Sequence, residues 1–150
     1  MANTVVFLTS GTTWTVPADF TALVSVECIP GGGGGDTGTS VFAGRGGGGG
    51  AYAKITSTST PLVAGVTVIN IGIGSGGAHD ADGTDTWWNA TSLANAVALG
   101  STVACAAQHG GHVAVAGLAA NSVGTTTFDG GAGAAGGASA NGGGSGGSGG

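Results

Sequence analysis

Positive charge is almost missing from this sequence. Only Arg45 and Lys54 carry it, against seven Asp and Glu residues, and the formal net charge of the 150-residue chain is −5. Binding to the phosphates of nucleic acids or to anionic membrane surfaces depends on Lys and Arg side chains. The longest apolar run, residues 61–74, is too short and too polar to span a bilayer. We therefore predict neither a nucleic-acid partner nor insertion into a membrane.

Proline and charged residues are scarce as well. The three prolines exclude a collagen-like chain, which needs abundant proline and glycine at every third position. Intrinsic disorder combines low hydrophobicity with high charge, whereas this chain is 41% hydrophobic and 6% charged.

The N-terminus lacks the cationic region and cleavage pattern of a signal peptide. We expect release by lysis of a virus-producing cell, with an unconventional secretion system as the alternative.

The two cysteines, Cys28 and Cys105, allow one disulfide. The sequence does not say whether they meet in space. We interpret both as small, buried apolar residues.

Glycine is what the sequence has in excess, at 36 of 150 residues. Uninterrupted runs occupy 31–35 and 46–50, and a Gly/Ser/Ala-rich tail begins at residue 130. Ordering a glycine costs about 1–2 kcal/mol of backbone entropy, so an ordered run must be held by backbone hydrogen bonds. We interpret the runs and the tail as packed polyproline II-like (polyglycine) helices, with flexible linkers as the alternative. We expect Gly31–Gly35 to be ordered and extended, with backbone bonds to neighbouring segments.

Alternating patterns between the runs predict β-strands. Residues 66–74 give the clearest strand, and their apolar residues on both faces indicate a central one. Residues 92–99 fit a short helix capped near Ser92 or another strand. We predict a single domain, 1–150, with strands and two polyglycine runs in 1–75, an acidic loop carrying a Trp pair and a short element in 76–99, and a small-residue, glycine-rich segment in 100–150. The other predicted strands are 4–8, 13–17, 22–29 and 51–58.

Motifs of catalysis and cofactor binding are weak. Gly72, Gly74 and Gly77 match a dinucleotide-binding pattern, but the following residues cannot form the required helix. His109 and His112 lack the further ligands of a zinc site, and we interpret them as bonded within the glycine-rich packing. No nucleophile stands beside a base. We predict no enzyme activity and no cofactor.

The acidic loop holds the candidate binding residues. Asp80, Asp82 and Asp85 form a weak Ca²⁺ candidate, although a solvated acidic turn fits them better. Adjacent aromatics beside carboxylates suit a glycan, so we also predict a receptor-binding role for these three with Trp87 and Trp88. The alternative is that one Trp of the pair faces the core.

An ordered set of sequence blocks resembles a known family. "TSGTTWTVPADFTALVSVECIPGGGGG", "GRGGGGGAYAKITSTST" and "VTVINIGIGSGG", followed by "GTDTWWNATSLA" and "NSVGTTTFDGGAGA", resemble the glycine-rich domain common in bacteriophage tail fibres and related virion proteins. The resemblance implies a non-enzymatic, often trimeric virion component of strands and packed polyglycine helices.

Together these observations predict an all-β fold: a β-sandwich with jelly-roll-like strands plus polyglycine helices, assembled as a trimer. The expected function is a structural protein on the exterior of a phage particle, a tail fibre or similar appendage that aids host adhesion. Expected partners are other copies, further tail or capsid proteins and a host-surface glycan. The alternatives are a capsid decoration or head-fibre protein, or an ice-binding or matrix protein of bundled polyglycine helices.

Overall fold

The computed structural model describes residues 4–39 and 41–137. The predicted order of the tail from residue 138 onward lies outside these residues. Within them the chain forms seven strands, one α-helix and a short 3-10 helix at Ala119–Asn121. The elements are β1 (Thr13–Thr15), β2 (Val26–Cys28), β3 (Tyr52–Ile55), β4 (Val68–Gly72), β5 (Thr86–Trp88), α1 (Leu93–Leu99), β6 (Cys105–Ala107) and β7 (Thr126–Phe128).

The strands form two antiparallel sheets. Sheet A has the order β1-β4-β5-β6, and sheet B has the order β2-β3-β7. Trp14 of β1 pairs with Ile69 of β4, and Trp88 of β5 pairs with Cys105 of β6. The described part of the protein is thus mostly strand, in agreement with the all-β prediction.

The main core lies between the two sheets, because its buried residues come from both. Sheet B supplies alternate residues of β3, Ala53 and Ile55, which are fully buried, while Tyr52 and Lys54 point away from the core. This alternation is the one that the sequence predicts. Sheet A supplies Ile69, Ile71, Trp88, Cys105 and Ala107, and Cys28 of β2 completes the cluster.

A second, smaller core lies on the other face of sheet A. It joins Ala106 of β6 to Ala96 of α1, and Trp87 packs against it. Ser92 caps α1 by accepting a hydrogen bond from the Asn95 amide at 3.1 Å, and Gly100, with a φ of 78°, follows its last residue. Residues 92–99, for which the sequence left helix and strand open, therefore contain a capped helix.

One strand prediction is wrong, because residues 4–8 form no strand and Phe7 is 85% exposed. The prediction of a central strand in residues 66–74 is confirmed, since β4 lies between β1 and β5 in sheet A. Val66 and Val68 are nevertheless exposed, so the strand is not buried along both faces. The strands buried on both faces are β5 and β6, which lie between sheet B and α1.

Candidate functional site

Glycine-rich segments that belong to neither sheet pack against one another beside the core. Gly31, Gly33 and Gly46 to Gly49 are buried there although none has a side chain. Because nothing but backbone is available at these buried glycines, their contacts with neighbouring segments are made by peptide groups. We call this assembly the glycine array; its segments are 31–36, 43–51, 74–84, 108–117 and 130–137.

Backbone hydrogen bonds in the glycine array recur every third residue. Gly33 donates to the Gly48 carbonyl at 2.8 Å, and Asp36 donates to the Arg45 carbonyl at 3.0 Å. A β-ladder repeats every two residues, so this spacing is not that of a sheet. The same spacing links segments 43–51 and 130–137, where Ala43, Gly46 and Gly49 donate to the carbonyls of Gly137, Ala134 and Gly131.

The run Gly31–Gly35 is bonded to several segments at once. Gly31 donates to the Thr84 carbonyl at 3.1 Å, and Gly34 donates to that of Ala81 at 2.9 Å. The carbonyl of Gly31 in turn accepts from Gly110 at 3.0 Å. The backbone hydrogen bonds that the sequence predicts for this run are confirmed.

The glycine array needs glycine for space and not for an unusual backbone conformation. A Cβ added at Gly48 would overlap the Val115 carbonyl, and one at Gly33 would overlap the Gly111 carbonyl. Among the described glycines, a left-handed φ occurs only at Gly11, Gly65 and Gly100, all outside the array. At these two positions even one methyl group would therefore push neighbouring segments apart.

Two aspartate–histidine pairs bind segment 108–117 to Asp82 of segment 74–84 and to Asp85, which directly follows that segment. Oδ1 of Asp85 accepts from the His109 amide at 2.9 Å and lies 2.6 Å from Nδ1 of the same residue. Oδ1 of Asp82 makes the same two contacts with His112, at 2.8 and 2.6 Å. The two aspartates are three residues apart, and so are the two histidines. The side-chain bonds therefore have the same spacing as the backbone hydrogen bonds of the glycine array.

Hydrogen bonds lower the pKa of three carboxyl groups at this site. The pKa of Asp82 is lowered chiefly by the side-chain bond with His112, and that of Asp80 by the hydroxyl of Thr37. The pKa of Asp36 is lowered first by the backbone amide of Arg45 and then by its guanidinium, whose Nε lies 2.7 Å from Oδ2. In each case the bonds favour the charged carboxylate.

The three carboxylates of the weak Ca²⁺ candidate do not converge. Asp82 and Asp85 contact different histidines, while both oxygens of Asp80 bind Thr37, at 2.7 and 2.6 Å. Within residues 4–39 and 41–137, no three His, Cys, Asp or Glu side chains are grouped closely enough to hold a metal ion. The carboxylates act as bonds between segments of the chain.

The tryptophan pair lies in strand β5 and not in a loop. Trp88 is 3% exposed in the main core, and Trp87 is half-buried, with its ring against Gly72. Alternation in a strand sends the two rings to opposite faces of sheet A. The receptor-binding role stays a prediction; Trp88 offers almost no surface to a ligand, so Trp87 would have to supply the aromatic contact.

Sequence reasoning missed one surface feature and the histidine partners. An open surface cavity of about 260 Å³ is lined by both apolar and hydroxyl-bearing side chains, namely Phe20, Leu23, Thr56, Ser57, Thr58, Thr60 and Leu62. No local pattern marks this cavity, because its residues come from two distant segments. The equal spacing of Asp82 and Asp85 with His109 and His112 was the available signal for the pairs.

Within the part of the chain that the structure describes, no helix has the length and apolarity needed to cross a bilayer. Residues 8–150 match the glycine-rich domain family, so the chain belongs to that family. No curated protein and no solved structure matches it.

Proposed function

We propose that this chain is a non-enzymatic structural protein on the exterior of a bacteriophage particle, as a tail fibre or a fibre-like appendage. The observation that supports this function is the glycine array, in which backbone bonds recur every third residue. A polyproline II helix has three residues per turn, so this spacing is what bundled polyglycine helices would give. We therefore include such helices in the proposal.

A bundle of this kind suits a mechanical role. The stability of such a bundle comes from many backbone hydrogen bonds and from close contacts that exclude side chains. A small alanine-rich core is therefore sufficient to hold the fold together. Proteases require a locally opened chain, and a buried, bonded backbone such as that of Gly46 to Gly49 resists opening. The same properties would serve a capsid decoration protein or an extracellular matrix or ice-binding protein, and the test below separates these locations.

Homo-oligomerisation, with a trimer as the expected form, is part of the proposal. Large apolar side chains lie at the surface: Phe7 is 85%, Val5 71%, Ile29 70% and Phe128 60% exposed. Burying such side chains between copies of the chain would favour association. Light scattering during size-exclusion chromatography should give three times the chain mass. A monomer mass across the accessible concentration range would remove this part of the proposal.

Host adhesion is the remaining part, with a surface glycan as the ligand. The sequence predicts one candidate glycan-binding surface, formed by Trp87 together with Asp80, Asp82 and Asp85. A binding assay on host cells should show weaker attachment for Trp87→Ala. Phe20→Ala, at the open surface cavity, is the matched deletion of an aromatic side chain at a different place on the surface. Unchanged attachment by the Trp87 variant would remove that site from the proposal.

The location is tested on particles released by lysis from cells that carry the gene. Intact particles are purified on a density gradient and labelled with gold-conjugated antibodies raised against the folded chain. We expect label on the tail, and particles from a deletion strain serve as the control. Label on the head would favour the decoration alternative. Recovery of the chain only from the extracellular matrix or the soluble lysate would contradict a virion role.

A further inference from the structure

The two cysteines, separated by 77 positions in sequence, meet in the main core. Cys28 ends β2 in sheet B, and Cys105 begins β6 in sheet A. The Cys28 thiol donates to the Cys105 carbonyl at 3.4 Å, and the Cys105 thiol donates to the Val26 carbonyl at 3.8 Å. Each thiol therefore lies against the strand that carries the other.

The side chain of Cys105 is the main reason that the pKa of Cys28 is raised well above its ordinary value, and burial is the second. The exposed fractions of the two residues are 2% and 0%, and both are free thiols in this structure. They are thus adjacent, shielded and positioned on opposite sheets.

We propose that Cys28 and Cys105 are a modification site, at which a disulfide forms and joins sheet A covalently to sheet B. The oxidant is a low-molecular-weight disulfide such as glutathione disulfide. A thiolate of one cysteine attacks a glutathione sulfur, which releases one glutathione and leaves a mixed disulfide. The second thiolate then attacks the protein sulfur of that mixed disulfide and releases the second glutathione. Two protons leave the protein, the cysteines are oxidised and the glutathione disulfide is reduced.

Burial determines when this reaction can occur. The nucleophile is the thiolate, which the raised pKa of Cys28 disfavours, and glutathione cannot reach a side chain that is 2% exposed. The exchange must therefore pass through local opening, for which β2 is suited because it is an edge strand of sheet B. A reducing cytoplasm keeps the thiols free, and an oxidising exterior closes the bond slowly.

The test equilibrates the full chain with reduced and oxidised glutathione, once as the folded protein and once during refolding from urea. The refolding arm removes the barrier that burial imposes. Free thiols are then alkylated in denaturant, and the intact mass and the linked peptides are measured. We expect a monomeric chain two hydrogens lighter, with no alkylated thiol and one Cys28–Cys105 crosslink.

A disulfide that closes so long a loop should also raise the unfolding temperature by about 10 °C relative to the chain reduced with dithiothreitol. Cys105→Ala should show no difference between oxidising and reducing conditions. Two free thiols after refolding in the redox buffer, a stable glutathione adduct, disulfides between chains, or an oxidised form that unfolds at a lower temperature would each overturn the proposal.

Discussion

Replacing Gly48 with alanine should destabilise the protein strongly, although alanine is the mildest substitution available. Gly48 is buried in the glycine array, donates to the Gly111 carbonyl and accepts from the Gly33 amide, both at 2.8 Å. A Cβ at this position would overlap the carbonyl of Val115. The segments cannot separate to admit it without lengthening those bonds.

The expected loss follows from these contacts. Forcing a methyl group into a packed interior costs about 1–3 kcal/mol. A buried peptide group left without its partner costs a further 1–3 kcal/mol or so. Alanine restricts the unfolded chain and so returns about 0.4–1 kcal/mol. We expect Gly48→Ala to lower the free energy of unfolding by about 3 kcal/mol.

Gly76, in the same glycine array, provides a control at which alanine should change the free energy of unfolding in the opposite direction. It is exposed, its φ is not left-handed, and a Cβ there would meet only the Gly32 carbonyl oxygen, at 3.8 Å. Gly76→Ala should therefore stabilise the protein by about 0.4–1 kcal/mol. Urea titrations followed by tryptophan fluorescence give both values. Equal effects of the two substitutions would refute the claim that the glycines are required for close approach.

Three further outcomes are expected from the same titrations. Because the pKa of Asp82 is lowered in the folded state, its contribution to stability is fully present at pH values above the ordinary pKa of 3.8 and is lost as the pH falls through the lower folded-state pKa. Asp82→Asn should therefore weaken the pH dependence of the free energy of unfolding between about pH 5 and about pH 2. An unchanged pH dependence would count against the pairing with His112. Trp88→Ala should remove about 3–5 kcal/mol, because the ring is 3% exposed in the main core, and near-normal stability would contradict that placement. Ser92→Ala should remove about 1 kcal/mol with the α1 cap, whereas Ser10→Ala, at an exposed position, should change little.

Sequence patterns predict the strands β1 to β4, but they predict none of β5, β6 and β7. The alternation around Ala53 and Ile55 is enforced by a core on one side and solvent on the other, and the structure has that arrangement. Residues 4–8 are rich in residues that favour strands, yet Val5, Val6 and Phe7 are exposed and form no strand. Local composition indicates a preference, but a strand also needs a neighbouring edge with which to pair, and the sequence does not show one.

The sequence predicts which kind of bond holds the glycine array together, but it does not predict which segments bond to one another. The entropy argument for ordered glycine predicts the backbone bonds that Gly31 and Gly34 make. Which segments would supply the partners depends on contacts between distant parts of the chain, so no local pattern gives them. For the same reason the sequence favours a solvated turn for Asp82 and Asp85, since their histidine partners lie 30 and 24 residues away.

Amide hydrogen exchange followed residue by residue by NMR on a uniformly labelled sample tests most directly whether the glycine runs are ordered structure. The amides of Gly33, Gly48 and Gly110 donate to backbone carbonyls and are buried, so we expect them to exchange as slowly as those of the sheets. Protection of these amides comparable to that of Ile71 in β4 is the predicted result. Exchange at the rate of an unstructured chain, while Ile71 stays protected, would show that the runs are flexible linkers and would contradict the account.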